Sequence, residues 1–177
     1  ELLRQCFYIG NRSLLLVSVT GFIIGLVFTL QSRPTLQEFG AVSWMASMVS
    51  VSIIREIGPI ITALICAGRI GSGIGAELGS MKVTEQIDAI EMMAIDRNRY
   101  LGMPRAMATL VMMPVLAVFS NVVALIGGYI LTAIKFGFSF SIFFDSVVRF
   151  FVVSDIAVGL IKSFVFGGVT ALIGVYV

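Results

Sequence analysis

The stretch from Gly68 to Met93 reads GRIGSGIGAELGSMKVTEQIDAIEMM and follows the apolar run IGPIITALICA. Its middle, GSGIGA, fits the G-x-G-x-x-G/A pattern of a dinucleotide-binding turn, and Glu91 lies 20 residues past Gly71. Such a fold needs a hydrophobic strand, the glycine turn, a helix, and a second strand ending at the acidic residue. The second strand is missing here. Lys82 to Met93 spaces its apolar residues like a helix, so Glu91 does not sit at a strand end.

Composition points elsewhere. Of 177 residues, 58% are hydrophobic and only 12% charged, with a mean hydropathy of +1.04. Soluble domains carry about 25% charged residues, and half of that cannot cover a water-soluble globule. The chain reads as an integral membrane protein of all-α class. A net charge of +2 without any run of Lys or Arg excludes a nucleic-acid partner. Histidine is absent, and Cys6 and Cys66 are far apart without metal-ligand spacing, so both read as apolar fillers and no metal site is expected. The first apolar run has no small-residue cleavage motif, so no cleavable signal peptide is expected.

A bilayer core about 30 Å thick needs roughly 20 apolar residues in a helix. Four spans are expected, at about 13–30, 41–75, 106–134 and 156–177, within a single transmembrane domain covering 1–177. The chain stops within apolar sequence, and a C-terminal truncation is expected. With the N-terminus inside, the inner Lys and Arg are Arg4, Arg12, Arg69, Lys82, Arg97, Arg99 and Arg105, and the outer ones are Arg33, Lys135 and Arg149. Seven against three favours a cytoplasmic N-terminus and a cytoplasmic loop around 76–105. Residues 1–12 alternate apolar and polar side chains and suggest an interfacial helix. Residues 31–40 are expected as a short outer loop, and the Phe-rich 135–155 as a second interfacial segment.

The glycines then read as packing surfaces. Ala67, Gly71, Gly75 and Gly79 recur every four positions, and Gly68, Ser72, Ala76 and Ser80 form the adjacent row. On a helix these are ridges of small side chains that admit a close neighbour. The neighbour is a helix of the same chain or a second subunit, or else the glycines mark a tight turn at the membrane edge.

Charges inside apolar sequence are more telling. Arg55 and Glu56 follow SVSII directly, and Pro59 then removes a backbone donor. Arg69 and Glu77 lie nearer the cytoplasmic end. An ionised residue near the bilayer centre costs about 2.5–3.5 kcal/mol on insertion scales, so such groups face a protein interior or a wet cavity. All four are candidates for lining a cavity. The plainer alternatives are an ion pair for Arg55 and headgroup contact for Arg69. In the third span Pro114 suggests a kink and Asn121 an interhelical hydrogen bond. The 14 Phe and 9 Met suit an adaptable cavity and ordinary lipid-facing surface equally.

Beyond the glycines, Thr84 is suited to cap a helix at about 84–96, with Glu85 at the positive end of its dipole. Val83, Ile87, Ile90 and Ala94 share one face, and Glu85, Asp88, Glu91 and Asp96 make the segment acidic. A short amphipathic helix in a cytoplasmic loop either lies on its own bundle or docks into another protein's groove.

The run REIGPIITALICAGRIGSGIGAELGSMKVTEQIDAIEMMAID closely resembles the central signature of MlaE-type permeases, the membrane subunits of MCE-associated ABC lipid transporters. The matching motifs are the R-E-x-G-P entry, A-G-R-x-G-S, A-E-[LI]-G, T-E-Q, and the E-M-M-A-[IV]-D close. The resemblance implies a fifth span beyond residue 177 and a homodimer of permease subunits. It also implies a cytoplasmic ABC ATPase that carries ATP and magnesium, an MCE-domain substrate-binding protein, and membrane phospholipid as cargo. This chain would then bind no cofactor itself. The host membrane would be a bacterial inner membrane or a plastid inner envelope.

The same resemblance makes 84–96 the helix that couples to the ATPase, through Thr84, Glu85, Gln86, Ile87, Asp88, Ile90 and Glu91, and puts the lipid cavity at the dimer interface. The chain carries no G-x-x-x-x-G-K-[ST] loop and reads as a transport subunit without catalytic residues, not an enzyme. Two other classes remain. One is a gradient-driven secondary transporter with a midplane site at Arg55, Glu56 and the Pro59 break. The other is a nucleotide enzyme using GSGIGA.

Overall fold

The computed structural model describes residues 2–94, 96, 98–150 and 152–176, without the side chains of 98, 99, 150 and 176. The described residues form helices and short connections, with no strand among them. This removes the dinucleotide fold: GSGIGA lies within helical backbone. Four helical stretches are long and apolar enough to cross a membrane, at Leu2–Glu38, Val42–Val83, Tyr100–Phe136 and Val153–Val175.

The first helix, α1 (Leu2–Glu38), is one element of 37 residues, about 55 Å long at 1.5 Å per residue. The N-terminal segment expected to lie apart as an interfacial helix therefore continues without a break into the first span. At the other end the helix runs through Pro34 and most of the expected outer loop. The chain turns only at Phe39–Ala41, where Gly40 adopts φ +64° and the Ala41 amide bonds the Leu36 carbonyl.

The second span is a single long rod made of α2 (Met45–Ser52), α3 (Gly58–Cys66) and α4 (Ser72–Val83). Two π turns join them, at Ile53–Ile57 and Ala67–Gly71. Each π turn carries one of the intramembrane arginines, Arg55 or Arg69. The segment expected to turn between Gly71 and Gly79 is helical throughout. A short α5 (Gln86–Met92) follows, and a π turn at Asn98–Gly102 leads into α6 (Met103–Phe136), the third span. Pro114 sits inside α6 without ending it. The last helices are α7 (Phe140–Phe150), in the segment expected at the interface, and α8 (Val153–Tyr176).

Helices α1, α3 and α8 all pack against α6. The contact with α1 is the tightest, because small residues face each other: a Cβ on Gly25 would lie 1.9 Å from the Ala124 carbonyl oxygen, and one on Gly127 would lie 2.6 Å from that of Phe22. Backbones at this distance gain dispersion and weak polar contacts that a larger side chain would forbid. One buried cluster joins Val17, Cys66, Ile70, Ala108, Met113 and Leu116, and a second joins Leu36, Met45, Val49, Ile53 and Ala124. Meanwhile Leu15 is 76% and Leu64 71% exposed. Such outward apolar side chains along whole spans are the surface of a protein solvated by lipid.

Helix α7 lies along α2, where Ser47 Oγ donates to the Ser146 carbonyl at 3.2 Å. Tyr129 on α6 meets the Phe140 ring edge-on, with centroids 5.3 Å apart.

Candidate functional site

The first π turn builds an ion cluster. Pro59 has no N–H to give the Arg55 carbonyl four residues back, and Lys162 Nζ on α8 donates to that oxygen at 3.3 Å. The same ammonium pairs with Glu56 Oε2. Arg55 lies 3.8 Å from both Glu56 Oε1 and Asp155 Oδ1. Two cations and two anions thus compensate one another across the first π turn and α8. The close approach is possible because α8 offers Gly159, where a Cβ would stand 2.8 Å from the Ile54 carbonyl oxygen.

The sequence marked Arg55 and Glu56 and left a carboxylate pairing open for Arg55. It did not assign Lys162 and Asp155 to the site. Lys162 was recognisable as the lone charge in the last apolar run, but hydropathy does not tell which helix it faces.

Beside this cluster, toward the start of the rod, lies an open cavity of about 600 Å³ with Leu36, Phe39, Trp44, Met48, Val51 and Ser52 among its lining residues. Its lining is almost wholly apolar, and Val51 and Ser52 stand one helical turn before Arg55. The arrangement places hydrocarbon-compatible walls next to paired charges, which suits an amphiphile.

Arg69 and Glu77 are brought together at the other end of the rod. They share a cavity of about 150 Å³ with Tyr8, Arg12, Ile9 and Ile70. Arg69 is 14 positions after Arg55, about 21 Å along the helix, so the four intramembrane charges form two separate groups. Glu77 has a partner the sequence did not name: Arg105 Nη2 is 3.0 Å from Oε1, and Nε donates to Oε2 at 3.3 Å. Arg105 is only 5% exposed and also donates to the Leu101 carbonyl at 2.8 Å. This guanidinium ties α4 to the start of α6.

The expected glycine packing row is only partly covered among the described residues. A Cβ at Gly71, Gly75 or Gly79 would meet nothing within 4 Å, although α8 approaches Gly71, whose Cα would lie 3.5 Å from a Cβ on Gly174. The close approaches occur elsewhere, at Gly25 and at Gly58, where a Cβ would lie 1.6 Å from Asn121 Oδ1. That amide oxygen is buried without a hydrogen-bond partner. Asn121 therefore contributes shape here, not the interhelical hydrogen bond its type suggested.

The acidic segment is shorter than expected. Thr84 does not cap α5. Its hydroxyl donates to the Ser80 and Met81 carbonyls at 2.9 and 3.3 Å, closing the end of α4. Glu85 takes the left-handed conformation at φ 58° and breaks the two helices apart. Ala94 does the same at φ 56° on the far side, leaving two turns, 86–92. Position 95 and Arg97 lie outside the described residues.

On α5, Ile87 is buried and Ile90 half-buried against the bundle. Asp88 and Glu91 face outward, and Gln86 borders a polar cavity with Ser80, Met81 and Arg105. Val83 and Met92 are 85% and 88% exposed. The apolar face read from the spacing is thus divided: Ile87 and Ile90 hold the helix to its own chain, while Val83 and Ala94 are exposed.

Known proteins place this architecture. The family model described as Permease MlaE matches residues 2–177. A probable ABC transporter permease protein of Rickettsia typhi is 37% identical over 175 residues, covering 99% of this chain and 68% of that protein. A similarly named protein of Synechocystis is 37% identical over 172 residues, 97% of this chain and 65% of its own. The intermembrane phospholipid transport system permease protein MlaE of Haemophilus influenzae is 41% identical over 127 residues, 72% of this chain and 49% of its own. A match along essentially every residue, on a bundle with four helices able to span a bilayer, leads to one conclusion: the chain belongs to the MlaE permease family.

Proposed function

We propose that the chain is the permease subunit of an ABC transporter that moves phospholipids or related lipids between membranes. The observation that carries this reading is the single rod from Val42 to Val83. One of its ends borders an apolar cavity beside an ion cluster, and its other end carries the acidic helix. The cavity walls suit acyl chains, and the balanced cluster of Arg55, Glu56, Asp155 and Lys162 beside them suits a zwitterionic headgroup. The host is a bacterial inner membrane, with α5 on its cytoplasmic side. Energy comes from a separate ABC ATPase that holds ATP and magnesium, and an MCE-domain substrate-binding protein delivers or receives the lipid.

The permease works as a homodimer. The small residues Gly75 and Gly79 support this, since with nothing over them among the described residues they leave space for a second backbone. When ATP closes the paired ATPases, the groove around α5 moves. Because α4 is tied to α6 through Glu77 and Arg105, that motion passes into the spans as a rigid-body shift and narrows the cavity. The gradient-driven alternative gains little from the midplane charges. Each has an opposite charge within 4 Å, which leaves no uncompensated ionisable group for a coupling ion.

The test is the Glu85→Ala/Gln86→Ala double variant. Weakened ATPase association, or hydrolysis without lipid movement, is the expected result. Normal complex yield together with normal lipid movement would remove the coupling role.

A further inference from the structure

The basic cavity at the α5 end of the bundle has no role in the reading above. Arg12 immediately precedes the uncharged run 13–30, and Arg69 closes the uncharged run 57–68. Both guanidinium groups thus sit at the same edge of the apolar layer, where headgroups lie. They line one cavity of about 150 Å³ with Ile9, Ile70 and Ile74 among its other walls. A larger polar cavity of about 630 Å³ shares Tyr8 and Glu77 with it and adds Arg4.

The charge in this region is not balanced. Glu77 is the one carboxylate lining either cavity, and it is bound in two places by the buried Arg105. Arg4, Arg12 and Arg69 have no ion-pair partner among the described residues. Arg12 stacks over the Tyr8 ring at 4.2 Å and donates to its hydroxyl. The tyrosine thereby fixes the guanidinium while using one of its five N–H donors. Three unpaired cations around a polar opening with an apolar wall match a phosphate on an acyl-bearing glycerol. A free anion would have no use for Ile9, Ile70 and Ile74.

We propose that this cavity binds the headgroup of an anionic phospholipid from the leaflet on the α5 side, with Arg12 and Arg69 as the phosphate-holding pair. It is separate from the cavity beside Arg55, and binding there requires neither ATP nor transport.

The test uses the full chain with its co-purifying subunits, in nanodiscs of phosphatidylcholine containing a minority of phosphatidylglycerol, with retained lipids counted by native mass spectrometry. The wild type should retain phosphatidylglycerol preferentially. Arg12→Gln/Arg69→Gln should lower that preference about 25-fold, about fivefold for each cation removed. Arg12→Lys/Arg69→Lys should keep most of it, and it stands in if the neutral variant fails to fold. Lys135→Gln, which removes one cation at the opposite end of α6, should leave it unchanged. Absence of a preference in the wild type, an equal loss in Lys135→Gln, or displacement of the lipid by inorganic phosphate would overturn the proposal. Because retention is read without nucleotide, failure here leaves the transport reading standing.

Discussion

Lys162 on α8 bonds two groups of one π turn at once, the Glu56 carboxylate and the Arg55 backbone carbonyl. The turn, the proline that follows it and the lysine form one unit, in which a backbone irregularity supplies an acceptor and a distant helix supplies the donor. π turns inside helices recur at functional sites because they re-aim side chains that a regular helix would hold elsewhere.

Removing either charge of the Lys162–Glu56 pair leaves the four-membered ion cluster with one charge in excess. Lys162→Met and Glu56→Gln should each abolish most lipid transport in reconstituted vesicles. The double variant should express and fold better than either single one, because the charges left in the cluster, Arg55 and Asp155, balance each other. If the double variant loses as much folded protein as the sum of the singles, the two residues do not act as a pair.

Glycine substitutions should separate packing inside the chain from packing between chains. Gly25→Ala puts a methyl into the Ala124 carbonyl and should cost about 2–3 kcal/mol, the upper part of the overpacking range. Thermal unfolding in detergent reads this directly. At Gly75 an added Cβ meets nothing within 4 Å among the described residues, so Gly75→Leu is the contrasting substitution. It should leave monomer stability near wild type and break the permease dimer, seen as halved mass in native mass spectrometry.

Arg105 is expected to be structural in a specific way. Its buried guanidinium serves both the Glu77 carboxylate and the Leu101 carbonyl. Arg105→Met should destabilise the chain by about 2 kcal/mol, within the range for hydrogen bonds to charged groups. Glu77 is half exposed and can be rehydrated, which keeps the loss below that of a fully buried pair. Arg105→Lys should rescue little, since an ammonium cannot span both acceptors in the guanidinium geometry. Scanning fluorimetry of the three proteins checks the order.

The four spans were legible because hydrophobic length alone decides whether a helix can cross a bilayer. Arg55 and Glu56 were legible because charge in apolar sequence is costly anywhere. Their partners Lys162 and Asp155 were not, because which helix faces meet is a property of packing about 100 residues away in sequence. The small-residue signal was ambiguous for a related reason. A four-residue spacing looks the same whether a neighbour stands over it, as at Gly21 and Gly25, or none does among the described residues, as at Gly75 and Gly79. Thr84 misled as punctuation: it closes the helix before it instead of opening the one after. The loop expected at 31–40 is mostly the end of α1, which tolerates Pro34.

The left-handed Glu85 makes the hinge between α4 and α5 testable apart from any contact its carboxylate makes. A non-glycine residue at φ 58° carries a cost of roughly 1–2 kcal/mol, and this fixed bend aims α5 away from the axis of α4. Glu85→Gly keeps the bend and removes the side chain, whereas Glu85→Val opposes the bend, since β-branched residues avoid positive φ. If α5 is a handle whose direction matters, Glu85→Gly should retain most ATPase co-purification and Glu85→Val should lose it. If the carboxylate itself makes the decisive contact, both variants should lose the ATPase alike. Quantifying the ATPase band that co-purifies with each variant separates a geometric hinge from a charged contact, and the observed backbone favours the hinge.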